Sequence, residues 1–194
     1  MTKEETEITR SLLAWCNDQL EEHNAPLAIS IDPMRKEASF REYFRLNRAN
    51  DSLIAVISPP KQESNKEFIF FSEFLKKHNV NVPTIISHDK ESGYMMIEDF
   101  GDVIYQFALN SNNANKFYNM ALDQMIAIQL CPPHPYIKQL GESDLLKQMQ
   151  LFEEWFLKEF LDYHPNKKQK SNLNSLYKDI AECLLKQPQV LCHF

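Results

Sequence analysis

Ala38-Ser39-Phe40-Arg41-Glu42-Tyr43-Phe44-Arg45-Leu46-Asn47 is followed by Arg48-Ala49-Asn50-Asp51 and then by Ser52-Leu53-Ile54-Ala55-Val56-Ile57. The first run alternates aromatic or apolar residues with polar ones, which is the period of a half-buried strand. Asn50-Asp51-Ser52 is a turn signal. The run after it, Leu53–Ile57, is apolar throughout and reads as the next strand, and Pro59-Pro60 closes it. The spacing predicts a β-hairpin over 39–57. From the alternation alone, Arg41 and Arg45 read as exposed charges.

The neighbouring segments place this hairpin in a larger sheet. Thr6–His23 has Ile8, Leu12, Leu13, Trp15, Cys16 and Leu20 near a helical period, and Asn24-Ala25-Pro26 ends it. Leu27–Ile31 alternates like a strand. Ser64 or Asn65 caps a helix over Lys66–His78, whose apolar residues are Phe68, Phe71, Phe74 and Leu75. Thr84–His88 and Tyr94–Ile97 are two more strands around the turn Asp89–Gly93. Beyond Glu98-Asp99-Phe100-Gly101 the pattern becomes helical, with helices expected near 102–110, 112–131, 142–163 and 171–186. The fold class expected is α+β. A first lobe, 1–101, holds about five antiparallel strands and one helix packed on them. A hinge lies at 98–101, and a helical second lobe covers 102–194.

Composition narrows the function. Of 194 residues, 43% are apolar and 25% charged, as in an ordinary globular protein. A net charge of −6 argues against a general nucleic-acid binder or an anionic membrane surface. No apolar run approaches the roughly 20 residues of a membrane span, and the acidic N-terminus is unlike a secretory signal. A cytoplasmic protein is expected. Cys16, Cys131, Cys183 and Cys192 form no CxxC pair, and they read as reduced core residues with no metal or redox role. The chain has only three glycines, so a glycine-rich phosphate loop cannot be built. Any phosphate grip must come from side chains, helix N-termini or an unusual turn.

The end of the chain adds a further signal. Gln187-Pro188-Gln189-Val190-Leu191-Cys192-His193-Phe194 reads as a turn, a short strand over Val190–Cys192 and a histidine. An unpaired strand there predicts self-association through an open edge.

Three stretches together resemble the aminoglycoside-phosphotransferase superfamily. Ala38-Ser39-Phe40-Arg41-Glu42-Tyr43-Phe44-Arg45 is similar to its N-lobe hairpin, Met95-Met96-Ile97-Glu98-Asp99-Phe100-Gly101 to its hinge, and Val190-Leu191-Cys192-His193 to the approach to its catalytic loop. Ser52–Pro60 and Leu151–Trp155 resemble the bacterial anomeric sugar kinases that phosphorylate N-acetylmuramate and N-acetylglucosamine in cell-wall recycling.

The resemblance implies a protein-kinase-like fold using ATP and Mg2+, with nucleotide and a small sugar as partners. It implies phosphate contacts from Ser39, Phe40 and Arg41, and adenine contacts around Met96, Glu98, Asp99 and Phe100. It implies sugar contacts from Glu154 and Trp155, although the pattern alone reads Trp155 as core and Glu153 and Glu154 as solvent face. Leu53–Ile57 lacks the lysine that kinases place on this strand. Glu67 is therefore either a helix glutamate without its usual partner or a solvated charge. His193 marks the start of the catalytic loop. The Asp and the magnesium ligands that should follow it have no counterpart, so a chain of this sequence is expected to be inactive. Two alternatives stay open: a non-catalytic nucleotide-binding or protein-interaction module, and a generic α+β domain.

Overall fold

The computed structural model describes residues 3–35 and 39–192. Ala38 and His193 lie outside the described residues. The element order is α1 (Lys3–Glu22), β1 (Ser30–Pro33), β2 (Glu42–Asn47), β3 (Ser52–Ile57), α2 (Asn65–Lys77), β4 (Ile85–His88), β5 (Tyr94–Glu98), α3 (Tyr105–Ala108), α4 (Ala114–Gln129), α5 (Glu142–Leu151) and α6 (Lys167–Leu185). The chain divides into two compact units, Met1–Ile128 and Gln129–Phe194. Residue 101, expected as the end of the first lobe, falls inside the first unit.

The first unit is built on a five-stranded antiparallel sheet of order β1-β2-β3-β5-β4. The β2–β3 hairpin runs in register from Glu42 opposite Ile57 to Asn47 opposite Ser52. Arg48 closes its turn with a backbone bond to Asp51 O (2.9 Å) and a fork onto the Asp51 carboxylate.

Each face of the sheet packs on its own partner. Residues four apart on a helix share one stripe, which puts Leu12, Cys16 and Leu20 of α1 together. They bury Phe44, Leu46, Leu53, Ala55 and Met96 on one face. Leu12, Leu20 and Leu46 are essentially inaccessible, and each such side chain contributes about 1.5–3 kcal/mol of transfer free energy. The alternate residues Ile54, Val56, Met95 and Ile97 form the opposite face, packed with Tyr43, Ile85, Met34 and Phe68 of α2. Asn24, with φ of 52°, ends α1 in the left-handed conformation asparagine tolerates. The Asn17 side chain then accepts from Ala28 N–H at 2.8 Å and ties the following segment back.

Several expectations need correction. The helix expected over 102–110 is a single turn, because Asn110 and Asn113 take up backbone groups. Asn113 Oδ1 accepts from Asn110 N–H (2.8 Å), and its amide donates to Ala108 O (2.9 Å). The helix expected over 142–163 is α5 followed by wider turns over Phe152–Phe160. Their bonding reaches five residues back, as in Leu161 N–H to Phe156 O at 3.1 Å.

The helix expected from 171 begins earlier, at Lys167, so the lysines at 167–170 form the first turn of α6. Asn166 accepts from Gln169 N–H (3.0 Å) and Gln169 returns a bond to Asn166 N–H (2.9 Å), a reciprocal cap that overrides the lysines there. Residues 188–192 form no strand, so the open C-terminal strand expected to drive self-association is not there. Cys16 and Cys131 are buried, whereas Cys183 and Cys192 are exposed rather than core. Burial pushes the Cys16 thiol up to about 12.

Gly93 closes the β4–β5 turn with φ of 75°, and a Cβ there would lie 2.1 Å from Ser58 O. Gly93→Ala combines left-handed strain with a backbone clash. It is expected to cost about 2–4 kcal/mol, read as a lower urea midpoint. An unchanged midpoint would contradict the packing described here.

Candidate functional site

At the start of β2 the chain gathers several hydrogen-bond donors around one carboxylate. Ser39 Oγ–H and Phe40 N–H both donate to Glu63 Oε1, at 3.0 and 3.2 Å. The Arg41 guanidinium pairs with Glu63 Oε2 through Nη2 at 3.1 Å. Arg41 N–H donates to Ser39 Oγ (3.1 Å), which holds the hydroxyl in place.

The register explains why Arg41 points here. Glu42 pairs with Ile57, so Arg41 falls beside Ser58, and its Nε–H donates to Ser58 Oγ at 3.1 Å. Ser58 is fully buried, its hydroxyl bonds the Asn65 side chain, and its carbonyl accepts from Asn65 Nδ2–H at 2.9 Å. Asn65 begins α2, so this bond ties the helix start to the end of β3. The guanidinium carbon lies 5.1 Å from the centre of the Phe68 ring, within cation–π reach. Arg41 is thus held by a carboxylate, a buried hydroxyl and an aromatic face.

A second arginine fastens the segment that follows β5. Side chains at positions 41, 43 and 45 share one face. Arg45 bonds both oxygens of Asp99 (2.7 and 3.3 Å) and both of Asp102 (2.6 and 2.9 Å). Asp99 also accepts from Ser52 Oγ–H and from Gly101 N–H, each at 2.7 Å. Gly101, with φ of 76°, makes the reversal that this last bond needs. Glu98 is similarly occupied, accepting from Thr84 Oγ1–H (2.8 Å) and Thr84 N–H (3.1 Å).

The residues expected at a nucleotide site therefore separate. Ser39, Phe40 and Arg41 converge, with the Phe40 ring exposed. The side chains of Glu98 and Asp99 are committed to structural bonds. Phe100 is half-exposed beside them. Met96 is buried against α1, on the face opposite Phe68. Glu67 is exposed on the first turn of α2, and the carboxylate that meets Arg41 is Glu63. Sequence reading missed Glu63 because an acidic residue after Pro59-Pro60 looks like any turn charge. It missed Arg45 because strand alternation alone makes it solvent-facing.

In the second unit, Glu154 and Trp155 are both exposed. The neighbouring Glu153 is the anchored one, paired with Lys158 (3.3 Å) and Lys170 (3.5 Å). Among the described residues, no three His, Cys, Asp or Glu side chains are placed to hold a metal ion. No helix among them is long and apolar enough to cross a membrane.

Comparison with known proteins finds relatives in sequence and in fold. An N-acetylmuramate/N-acetylglucosamine kinase of Pseudomonas aeruginosa is 30% identical over 161 residues, covering 83% of this chain and 48% of the relative. The Pseudomonas putida protein of that name is 28% identical over 190 residues, 95% of this chain and 56% of the relative. That of Neisseria meningitidis serogroup B is 24% identical over 162 residues, 81% of this chain and 48% of the relative. The chain thus spans about half the length of the curated relatives it matches. A crystal structure described as an aminoglycoside phosphotransferase of Ralstonia eutropha superposes with a TM-score of 0.53 at 13% identity, over 88% of this chain and 53% of that one. No protein-family model matches the chain.

The resemblance to the aminoglycoside-phosphotransferase superfamily holds. Its sugar-kinase members supply the sequence similarity, and the solved phosphotransferase supplies the kinase-like α+β fold. β3 itself carries no lysine. The cation beside Glu63 of the turn before α2 is Arg41, which comes from the segment before β2 and not from β3.

The hinge cluster has a pH signature. Burial raises the Asp99 carboxyl, but bonds from Arg45, Ser52 and Gly101 outweigh it and leave the group below its ordinary value. The Arg45 bond likewise holds Asp102 low. A carboxyl lowered on folding stabilises the folded state above its unfolded value, about 4, and loses that contribution as pH falls through its folded value. Stability is therefore expected to drop below pH of about 4, and Asp99→Asn should flatten that drop. Urea midpoints measured between neutral and acidic pH check this. Parallel curves for the two proteins would show that the cluster is not the source.

Proposed function

We propose that this chain carries the nucleotide-binding part of an ATP-dependent phosphotransferase acting on an amino sugar of the N-acetylmuramate or N-acetylglucosamine type. The setting we propose is cytoplasmic cell-wall recycling. The observation that supports this most is the convergence of Ser39, Phe40 and Arg41 on a single anionic group. A hydroxyl, a backbone N–H and a guanidinium are the donors that bind phosphate oxygens when no glycine loop exists. ATP phosphates fit this donor set, with Arg41 as their cation.

Adenine is assigned to backbone groups around Asp99 and Phe100, where Arg45 keeps the hinge from shifting. The side chains of Glu98 and Asp99 are spoken for, so hinge recognition falls to main-chain atoms and to the half-exposed Phe100 ring. Glu154 and Trp155 are assigned to the sugar side: an exposed indole beside a carboxylate can stack on a pyranose and bind its hydroxyls. Magnesium would neutralise charge on the phosphates. The sequence contains no His-x-Asp-x-x-x-x-Asn segment to supply the base and a metal ligand. The 194 residues by themselves are therefore expected to bind nucleotide without turning it over.

A second reading, a protein-interaction module, is favoured by the second unit. Phe152, Phe156 and Phe160 stack at 5.2 and 5.8 Å between ring centres, and all three are exposed, as is Trp155. An aromatic row of this kind is a docking surface if anything covers it.

Calorimetry with a non-hydrolysable ATP analogue and magnesium separates the readings. The phosphotransferase reading expects weak binding, with Kd of about 0.1–1 mM, and at least a tenfold loss in Arg41→Ala. Absence of binding, together with concentration-dependent association in sedimentation that Phe156→Glu removes, would favour the interaction module.

A further inference from the structure

The Glu63 carboxylate lies in a cradle of three donors. Its Oε1 receives Ser39 Oγ–H and Phe40 N–H, and its Oε2 receives Arg41 Nη2–H, all within 3.2 Å. Both oxygens are thus engaged by donors from one short segment, 39–41. The Glu63 side chain is only 16% exposed, so water has little share in it. The segment between β3 and α2 delivers it: Gln62 and Glu63 N–H both bond Pro59 O at 3.0 Å, which folds 59–63 into a compact turn aimed at the β2 start.

Arg41 would keep its place without Glu63. Its Nε–H is bonded to buried Ser58 and its face lies on Phe68. Glu63 is therefore one of three groups on the guanidinium, and the other two do not depend on it. Two anions cannot share one set of donors, since like charges at such separation repel and only one can take the hydrogen bonds.

We propose that Glu63 is an internal phosphate mimic, a latch that occupies the anion cradle of Ser39, Phe40 and Arg41 and that a polyphosphate must displace in order to bind. Identifying that polyphosphate as part of a nucleotide rests on the function proposed above; the latch itself does not. Displacement requires only that the turn 59–63 swing its one acidic side chain outward, since Ser58 and Asn65 anchor the two ends of the turn independently.

The test uses this chain with three probes: inorganic tripolyphosphate, a non-hydrolysable ATP analogue and adenosine. Glu63→Gln and Glu63→Ala are each expected to bind tripolyphosphate at least fivefold more tightly than the wild-type chain. Adding Arg41→Gln to Glu63→Gln should abolish the gain. Unchanged or weaker binding in both single variants overturns the latch and makes Glu63 a partner that organises the cradle.

The two proposals fail differently. If the variants gain affinity for tripolyphosphate while the ATP analogue and adenosine bind no form of the chain, the latch stands and the nucleotide reading falls. If the ATP analogue and adenosine bind all forms equally, the nucleotide reading stands and the latch falls. A measurement on the unmodified chain guards against a variant that does not fold. Saturating tripolyphosphate should move the Glu63 side-chain carboxyl 13C resonance to that of a free glutamate, and no movement overturns the latch.

Discussion

Leu53, Ile54, Ala55 and Val56 are all buried along one strand, so the sheet has two faces to cover. This constraint shapes the first unit. α1 closes one face through Leu12, Cys16 and Leu20, and α2 contributes Phe68 to the other. A central strand buried on both sides leaves no favourable place for a lysine ammonium, because an unpaired charge there would lose its hydration. The cation must enter from the edge of the buried zone. The hairpin register supplies it there, because Arg41 falls one residue beyond the last β2–β3 pair, beside Ser58.

From that position the arginine joins three separate pieces of chain. Ser58 ends β3, Glu63 lies in the following turn, and Phe68 is on α2. Gly93 matters to this arrangement although it is far from it in sequence. Its lack of a side chain lets Ser58 O approach, and Ser58 N–H bonds Gly93 O at 2.9 Å. At the other end of the same strand, Arg45 does comparable work on the hinge and meets two aspartates at once. β2 and the residue before it therefore place two guanidiniums, each matched to acid from a different segment. Both guanidiniums are thus paired with carboxylates within a chain of net charge −6.

Much of this was legible in order. The helical stripe of α1, the alternation of β2 and the apolar run of β3 each follow from local periodicity. The structure has all five strands, with ends shifted by a few residues. The second unit was harder to read. An Asn–Gln reciprocal cap placed the lysines 167–170 inside a helix, and asparagine side chains around 110–113 cut another helix to a single turn. Both effects come from side chains competing for backbone groups, which hydrophobic periodicity does not register. The segment 190–192 reads as strand by composition, but a strand needs a partner, and composition does not supply one.

By itself, then, the sequence determined which segments are helix and sheet in the first unit, and through its motifs the likeness to a phosphotransferase superfamily. It also determined that no glycine loop grips phosphate, because three glycines are too few. Only the tertiary structure decided that Glu63 and not Glu67 meets Arg41, that Arg45 clamps Asp99 and Asp102 and is not a surface charge, and that Met96 faces α1. The physical reason is that a charge acts at contact distance. Arg41 and Glu63 are 22 residues apart and Arg45 and Asp99 are 54 apart in sequence, and only strand register and turn geometry bring them within 3.1 Å.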